Sequence, residues 1–378
     1  MTSDLICFSH LRWNFVYQRP QHLISRFAKM ARVFYIEEPR HAAIPDTLHI
    51  QIDPATGVYV VTPELEEGNL HEPFAHRMKK LVDQLMEMYN ITNYICWYYA
   101  PMAMAYTTHL NPGAMVYDCM DELSAFKFAP PELIHYEKQL LSKADIVFTG
   151  GYRLFEAKKH LHKNIHAFPS AIDKNFFLPA RTKLTEPPDQ NHIARPRLGF
   201  FGVIDERFDI ELVREMAAMK PGWQFIFIGP VVKIDPADLP VAGNIHYLGM
   251  KNYKELPSYI SGWDVCIMPF AINASTEFIS PTKTPEFLAA GKHVISTKIH
   301  DVIYPYGEQG LVGIAQNAKE FIQIAEKYLD EKDFGQWLEK ADEFLNNISW
   351  DKTWHDMESK ISEVIRKKKG SEKQLKKI

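Results

Sequence analysis

The sequence predicts an α/β protein with two Rossmann-like, doubly wound domains that face each other across a cleft. Short β-rich apolar runs alternate with longer amphipathic segments, and this series occurs twice, on either side of a proline-rich stretch. A length of 378 residues also exceeds what one ordinary hydrophobic core needs. Ligands of such sheets bind beyond the carboxyl ends of the strands, so we expect the functional site in the cleft.

The first series occupies residues 1–175, the predicted N-terminal domain. Apolar, β-rich composition predicts buried strands at residues 5–8, 33–36, 94–98, 115–118 and 146–149. Helical spacing predicts helices at residues 21–30, 74–88 and 132–142. Pro20 fits the first position of the earliest helix. This order implies a parallel sheet covered by helices.

A second series follows a predicted linker at residues 176–196, which contains four prolines and little periodicity. The predicted C-terminal domain spans residues 197–348, with strands at residues 198–201, 225–228, 245–248, 265–268 and 294–296. From residue 318 the pattern is helical. Ser349 is expected to cap a final helix over residues 349–366, which crosses back to the first domain and leaves a basic tail at 367–378.

Charge is distributed unevenly along the chain. The net charge is −4, but residues 366–378 hold seven Lys or Arg and one Glu, so the remainder carries about −10. An acidic body argues against nucleic acid as a partner. The tail, residues 366–377, favours an anionic membrane surface by about 1 kcal/mol per cation, with a solvated, frayed terminus as the alternative.

The four cysteines indicate a reducing compartment. Each lies inside an apolar run and no two have the spacing of a zinc or redox motif: Cys7, Cys96, Cys119 and Cys266. The amino terminus does not resemble a signal peptide, and no apolar run reaches the roughly 18 residues of a spanning helix. We therefore expect a cytoplasmic protein, peripheral at the inner face of the cell membrane.

The segment at residues 280–292, SPTKTPEFLAAGK, predicts a short helix with a fixed start. Pro285 fits the first turn if Thr284 caps it, and Gly291 provides the stop. Unpaired N–H groups and Lys283 then form a phosphate site. Glu286 could accept hydrogen bonds from ribose hydroxyls, or serve only to complement the helix dipole.

The same region carries a family resemblance. Residues 263–297 contain an Asp-Val-x-x-x-Pro strand, a Pro-Thr-Lys-x-x-Glu helix start and a Leu-Ala-Ala-Gly-Lys-x-Val-Ile-Ser exit. With FFGVIDERFDIELV, YLGMKNYKELPSYI, SWDKTW, YDCMDELSAF and RPQHL, the pattern resembles GT-B glycosyltransferases of the family-four-like bacterial polysaccharide group, of exopolysaccharide or teichuronic-acid type. The resemblance implies transfer from a nucleotide-sugar, with UDP or GDP as the nucleotide, to a glycan or lipid-linked acceptor. No metal and no cofactor are implied, and retention of configuration is mildly favoured.

The resemblance also implies donor-side residues. Ribose, diphosphate and base contacts are expected from Gly202, Arg207, Tyr247, Gly249, Lys283, Thr284 and Glu286. Glu277 resembles the first member of the family's paired glutamates, which contacts the donor sugar, and this implies a catalytic role for it. It precedes Glu286 by nine positions rather than the usual eight, and the family's glycine-rich acceptor loop is absent.

The loop after the first predicted strand, SHLRWNFVYQRP, is unusually rich in aromatic and planar polar groups for a connector. Such groups suit sugar faces and hydroxyls, which predicts acceptor binding by His10, Arg12, Trp13, Tyr17 and Arg19. The alternative is local packing of the aromatic rings with solvated charges.

Asp118 and Asp121 end a predicted strand in VYDCMDELSAF, where a carboxylate can face the cleft. Either could act as a catalytic base or bind an acceptor hydroxyl. Asp121 could instead cap the following helix. An inverting reaction would require one of them as base, whereas a retaining reaction would not. Their spacing does not fit a metal-binding Asp-x-Asp.

Other protein classes fit less well. A nicotinamide-dependent oxidoreductase would carry a G-x-G-x-x-G after an early strand, and none occurs. A GT-B sugar-nucleotide epimerase and a non-catalytic nucleotide-sugar-binding protein remain as alternatives, and acceptor-dependent turnover separates both from a transferase.

Overall fold

The computed structural model describes residues 4–69, 71–182, 184–331 and 333–375. Within these ranges the chain forms a nine-stranded sheet followed by a six-stranded sheet, each with helices packed against it. The predicted α/β fold with two doubly wound domains is confirmed. The sheets end and begin on either side of the proline-rich stretch, while the predicted domain limits themselves stay predictions.

The strands of the first sheet are β1 (Asp4–Phe8), β2 (Arg32–Ile36), β3 (Arg40–Ala42), β4 (Thr47–Ile52), β5 (Tyr59–Glu66), β6 (Tyr94–Tyr98), β7 (Ala114–Cys119), β8 (Ile146–Thr149) and β9 (Ile165–Ala167). Those of the second are β10 (Arg197–Phe201), β11 (Gln224–Ile228), β12 (Ile245–Tyr247), β13 (Val265–Met268), β14 (Val294–Ser296) and β15 (Gly313–Ile314).

The α-helices are α1 (Arg19–Phe27), α2 (Phe74–Met88), α3 (Met104–Thr107), α4 (Leu133–Lys143), α5 (Tyr152–Lys158), α6 (Lys174–Phe177), α7 (Ile210–Met219), α8 (Leu256–Ser261), α9 (Lys283–Ala289), α10 (His300–Val302), α11 (Ala318–Asp330), α12 (Gly335–Leu345) and α13 (Trp350–Leu375). No described helix is both long enough and apolar enough to cross a bilayer.

Strand order places the cleft. The first sheet runs β3-β5-β2-β1-β6-β7-β8-β9, with β4 antiparallel to β5, and the second runs β12-β11-β10-β13-β14-β15. The chain order reverses at β1 and at β10, which are the switch points of the two sheets. The loops that leave β1, β7, β10 and β13 at their carboxyl ends converge between the domains.

Strand composition explains why the sheets are buried on both faces. β6 and β13 are continuous apolar runs, as parallel strands covered by helices require. Close packing also fixes a glycine in β10, because a Cβ on Gly199 would lie 2.0 Å from the ring of Trp263. The indole N–H of Trp263 donates to Gln190 Oε1 at 2.8 Å, so this buried polar group is satisfied.

The last helix packs on the first domain. Ser349 accepts a hydrogen bond from the Lys352 N–H at 3.1 Å, and Trp350, Met357 and Ile361 belong to the first-domain core. α13 continues to Leu375 rather than ending at residue 366, because the Lys, Glu, Gln and Leu that follow favour helix. The end of the predicted basic tail, residues 376–378, lies outside the described residues.

Candidate active site in the interdomain cleft

Three connected spaces make up the cleft. The central cavity, about 110 Å³, lies between Gln18, Asp121, Ser280 and Lys283. The donor-side cavity, about 320 Å³, shares Lys283 and extends towards Tyr253. The side groove, about 470 Å³, shares Asp121 with the central cavity and is lined mainly by apolar side chains. Each space has walls from both domains, so a ligand here contacts both.

α9 begins two residues earlier than predicted. Thr282 precedes its first residue, and neither Thr282 nor Thr284 provides a side-chain cap. Pro285 is tolerated because it still lies in the first turn, where its missing N–H breaks no helical hydrogen bond. Thr284 is buried with its hydroxyl 3.6 Å from Met268 Sδ, so it does not face the cavities. Gly291 ends the helix with φ +67°, as expected.

Glu286 is a buried carboxylate with one oxygen unused. The side chain is 3% exposed. Its Oε1 accepts a hydrogen bond from the Tyr253 hydroxyl at 3.1 Å, while Oε2 is buried and has no hydrogen-bond partner among the described residues. Burial raises the pKa of Glu286 to about 7, against the opposing charge of Lys283. A ligand hydroxyl would satisfy the free oxygen.

Lys283 provides a cation at the junction of the central and donor-side cavities. Its Nζ donates to Thr282 Oγ1 at 3.2 Å and lies 5.8 Å from the centre of the Phe201 ring. Desolvation lowers its pKa, and the nearby Glu286 opposes that shift. A bound phosphate would therefore gain a poorly solvated cation as its partner.

Two glycines keep the floor of the donor-side cavity open. Gly202 and Gly229 have φ of +151° and +145°. A Cβ on Gly202 would lie 3.1 Å from Lys283 Cε, and one on Gly229 would lie 1.8 Å from the Gly202 carbonyl oxygen. The ends of β10 and β11 can approach each other and the lysine only because both residues lack a side chain.

The predicted base-side residues support the cavity wall rather than form it. The Tyr247 hydroxyl donates to the Pro240 carbonyl at 3.2 Å, and its ring stacks on Phe227. Gly249, with φ +69°, accepts a hydrogen bond from the Gly229 N–H at 2.9 Å. The residues that follow line the cavity: Met250, Lys251, Asn252 and Tyr253.

Asp121 is the predicted catalytic carboxylate that faces the cleft. It is half-buried and lines both the central cavity and the side groove. Desolvation raises its pKa to about 6, against the charges of Arg207 and Arg19. No group in the described part of the chain donates a hydrogen bond to its side chain, and the turn after it begins at Leu123 with no side-chain cap. Its carboxylate is therefore available to a ligand.

Arg207 lies beside Asp121 but is already paired. Its Nη2 and Nε donate to Asp205 at 2.7 and 2.9 Å, and its guanidinium lies 5.3 Å from the centre of the Phe126 ring. Arg207 still lines the central cavity. It can add positive charge there while Asp205 holds it in place.

Asp118 and Arg19 are bound to each other. Arg19 donates to both carboxylate oxygens, at 2.8 and 3.1 Å, and to the Phe168 carbonyl at 2.7 Å. Asp118 is fully buried, and burial raises its pKa while Arg19 opposes that shift. The pair fixes the start of α1 to the end of β7. This environment favours a structural role over the predicted catalytic and acceptor-binding roles.

Glu277 lies outside the three spaces. Its carboxylate accepts from Arg153 Nη2 at 2.6 Å, and both side chains are largely exposed. The structure does not bring it to the donor site, and the predicted sugar contact receives no support.

Residues of the loop after β1 lie in different parts of the cleft. Arg12 is held by Glu37 at 3.0 Å, and the buried Trp13 donates its indole N–H to Asp53 at 2.7 Å, so both anchor the loop. His10 borders the side groove; burial and the charge of Lys233 lower its pKa to about 4.

Tyr17 lines both the central and the donor-side cavities. Its ring stacks on Tyr253 at 4.8 Å between centres. The sequence analysis did not predict Tyr253 or Gly229 as site residues. Both lie after the carboxyl end of a strand, where ligand-binding residues are expected. Tyr253 joins the first loop to Glu286 and so connects the two domains at the donor-side cavity.

Residues 195–331 match the family model described as Glycosyl transferases group 1. The matched residues include all six strands of the second sheet. A Bacillus subtilis (strain 168) protein with the provisional name teichuronic acid biosynthesis glycosyltransferase TuaH is 24% identical over 304 residues, which are 73% of this chain and 74% of that protein. The predicted likeness to polysaccharide glycosyltransferases is confirmed.

Solved structures share the fold over nearly the whole chain. Sucrose-phosphate synthase (tll1590) from Thermosynechococcus elongatus superposes with a TM-score of 0.73 at 15% identity, covering 96% of this chain and 99% of that one. The structure of Anabaena Alr3699/HepE in complex with UDP superposes with a TM-score of 0.66 at 12% identity, covering 96% of this chain and 100% of that one. The likeness to these solved structures shows a GT-B fold that spans both domains.

Proposed function

We propose that the protein transfers a sugar from a nucleoside diphosphate sugar to a glycan or lipid-linked acceptor in cell-surface polysaccharide synthesis. The observation that carries this proposal is the pairing of Glu286 and Lys283 at the start of α9. A buried carboxylate with a free oxygen suits ribose hydroxyls, and the adjacent cation suits a diphosphate. Gly202 and Gly229 line the donor-side cavity without side chains that would fill it.

The main requirement of the reaction is to stabilise the negative charge that develops on the departing nucleoside diphosphate. Lys283 lies at the junction of the cavities, and Arg207 lines the central cavity from the opposite loop. Together they supply the positive charge that the leaving group needs, which supports a metal-independent mechanism. Both cations are held in place before the ligand binds, so little reorganisation is required.

Asp121 stands where an acceptor hydroxyl would meet the donor. We propose that it orients that hydroxyl by accepting a hydrogen bond, while a donor phosphate oxygen receives the proton and the anomeric configuration is retained. If Asp121 removes the proton itself, the reaction inverts. The size of the effect of Asp121→Asn separates these two routes.

UDP is the first nucleotide to test, and GDP the second. The solved structure of Alr3699/HepE holds UDP, and the fold of that protein is shared by this chain. We place the protein in the cytoplasm at the inner membrane face, where residues 366–377 would meet anionic lipid.

A thermal-shift panel of UDP, GDP, dTDP and their sugars tests the proposal. A ligand at 100 times its dissociation constant adds about 2.7 kcal/mol of stability, so at least one nucleotide is expected to raise the melting temperature. A lack of response to every nucleotide contradicts the proposal. Release of nucleotide that depends on an added acceptor then distinguishes a transferase from an epimerase or a binding protein.

A further inference from the structure

An ion-pair network with little solvent exposure lies beside the loop that carries Asp121. Lys158, on α5, donates to Glu122 Oε2 at 2.7 Å and to Glu137 Oε1 at 2.8 Å. The side chain of Lys158 is 6% exposed, and that of Glu122 is 17% exposed. The Tyr117 hydroxyl donates to the same Glu137 oxygen at 2.7 Å. The network therefore joins β7, α4 and α5 to the loop that follows β7.

This network does not contact a ligand in the cleft. Glu122, Glu137 and Lys158 line neither the central cavity, nor the donor-side cavity, nor the side groove. Burying charged groups is costly, and apolar side chains of similar volume often stabilise a core as well as a buried ion pair does. Stability alone therefore gives little reason for the network, which leaves the geometry of the loop that it holds.

The backbone around Asp121 is held at successive residues. The Gly150 N–H donates to the Cys119 carbonyl at 2.8 Å, and a Cβ on Gly150 would lie 2.3 Å from the Met120 carbonyl oxygen. The Cys119 thiol lies 3.5 Å from the carbonyl oxygen of Asp121 itself. The ion-pair network then holds the side chain of the next residue. Asp121 is thus carried on a backbone that is fixed on both sides.

We propose that Lys158 and Glu122 are positioning residues for transfer, because their ion pair fixes the backbone from which the Asp121 carboxylate meets the acceptor hydroxyl. Small displacements of a group at the reaction centre lower the rate steeply. Since the pair acts through Asp121, losing the pair costs no more than losing that carboxylate. This inference rests on the proposed function, because it concerns how Asp121 performs its role there.

Glu122→Ala tests the inference on the full chain, because Lys158 keeps Glu137 as its partner in this variant. Nucleotide release from UDP-glucose, UDP-galactose and GDP-mannose measures the rate, with water in place of the acceptor hydroxyl. We expect kcat to fall about fivefold, while UDP or GDP, whichever binds, keeps its affinity within about twofold. Glu122→Gln should restore most of the rate, since its amide oxygen still accepts from Lys158. An unchanged kcat in Glu122→Ala overturns the inference.

A double-mutant cycle shows whether the pair acts through Asp121. Asp121→Asn alone should lower the rate about tenfold. Effects of residues that act as a unit are not additive, so adding Glu122→Ala to Asp121→Asn should lower the rate by less than about twofold more. A further loss of about fivefold in the double variant would show that Glu122 acts independently of Asp121, which overturns the inference.

Asp46→Ala is the matched control. Asp46 accepts from Arg77 Nε at 2.7 Å in the same domain, with side chains 23% and 6% exposed, and neither residue lines the three spaces of the cleft. This variant also removes a carboxylate from a buried cation, and its kcat should stay within about twofold. An equal loss of kcat in Asp46→Ala and Glu122→Ala would show that the rate follows stability, which overturns the inference.

Hydrogen exchange measures the loop without any substrate. Amides of residues 119–124 should exchange at least about tenfold faster in Glu122→Ala and stay unchanged in Asp46→Ala. Equal exchange in the unaltered protein and Glu122→Ala overturns the inference.

The outcomes separate this inference from the proposed function. Loss of rate in Asp121→Asn without loss in Glu122→Ala overturns this inference alone. No binding of UDP or GDP, or no release of nucleotide from any of the donors, overturns the proposed function and this inference together.

Discussion

Glu286 occupies an environment that opposes its own ionisation. Burial raises its pKa to about 7, and one of its oxygens has no hydrogen-bond partner in the part of the chain that the structure describes. A carboxylate kept in this state costs stability and is useful only if a ligand satisfies it. Asp121 is the second such group, with a pKa raised to about 6. At the residue scale, the proposed function assigns Glu286 to the nucleotide side of the site and Asp121 to the acceptor side.

Glu286→Gln is predicted to stabilise the protein at pH 8. Because the native pKa of about 7 exceeds the ordinary value of 4.5, the folded state holds more protons in this interval, so stability falls as pH rises from about 4.5 to about 7. The free energy of unfolding should fall by on the order of 3 kcal/mol over this interval. The variant should not show this fall, because Gln does not ionise. Urea denaturation at pH 4.5 and pH 8 measures the difference.

Glu277→Gln is the control, since its exposed ion pair with Arg153 is worth only about 0–1 kcal/mol. A Glu286→Gln variant that is less stable than the unaltered protein at pH 8 would show that its carboxylate is already satisfied.

Asp121→Asn is predicted to reduce transfer about tenfold while nucleotide affinity stays within twofold. Orientation of a hydroxyl contributes less than general base catalysis, which supplies roughly 10²–10⁴-fold. In the unaltered protein kcat/KM should rise with pH through about 6, as Asp121 ionises, and the variant should lose this rise. Steady-state rates from pH 5 to 8 measure both effects. An unchanged rate and pH profile would remove Asp121 from the mechanism.

At the element scale, the site depends on how strand ends approach each other. Gly202 and Gly229 end β10 and β11, and the Gly202 N–H donates to the Ile228 carbonyl at 2.9 Å. A side chain on Gly229 would meet backbone, which cannot move aside as a flexible side chain can. The shape of the donor-side cavity is thus set by backbone geometry.

Gly229→Ala is predicted to destabilise the protein by more than about 2 kcal/mol and to weaken nucleotide binding at least tenfold, because its φ is +145° and the new Cβ would overlap the Gly202 carbonyl. Gly243→Ala, which meets nothing within 4 Å, should stay within about 0.5 kcal/mol. Thermal denaturation with and without nucleotide measures both. Equal effects for the two variants would show that the close approach is unimportant.

Elements with strong local patterns could be predicted from the sequence. β6, β8, β13 and α2 occur at their predicted bounds, because their apolar periodicity agrees with their burial. The antiparallel strand β4 was missed, although polar and apolar residues alternate along it, because none of its residues is fully buried and its structure depends on pairing with β5. The early start of α9 was missed because Pro285 can occupy any position in a first turn.

Side-chain pairings could not be predicted from the sequence. Asp118 and Asp121 look equivalent there, yet Arg19, 99 positions before Asp118, engages only the first. Glu277 likewise meets Arg153, 124 positions away. Such contacts depend on how distant elements pack, which local periodicity does not specify.

At the scale of the whole molecule, contacts across the cleft hold the domains together. Asp301 accepts hydrogen bonds from the N–H groups of Tyr152 and Arg153 at 2.7 and 2.9 Å, across the interface. α13 returns from the second domain to the first, where Trp350 stacks on His22 at 4.6 Å. His22 in turn contacts Tyr17 on its edge. The final helix therefore supports the wall of the donor-side cavity.

Trp350→Ala is predicted to cost about 3–5 kcal/mol, because the indole is fully buried and its removal leaves a cavity beside His22. Trp223→Ala serves as a control, since this indole is only half-buried and should cost less. Urea denaturation followed by circular dichroism measures both. A cost below about 1 kcal/mol for Trp350→Ala would show that α13 contributes little to the first domain.

The central claim is that Glu286 and Lys283 bind a nucleoside diphosphate while Asp121 serves the acceptor. Calorimetric titration of UDP and GDP into the unaltered protein, Glu286→Gln, Lys283→Met and Asp121→Asn tests it most directly. We predict that one nucleotide binds, that the first two variants weaken it at least tenfold, and that Asp121→Asn binds within twofold. Equal losses in all three variants, or no binding to the unaltered protein, would contradict the account.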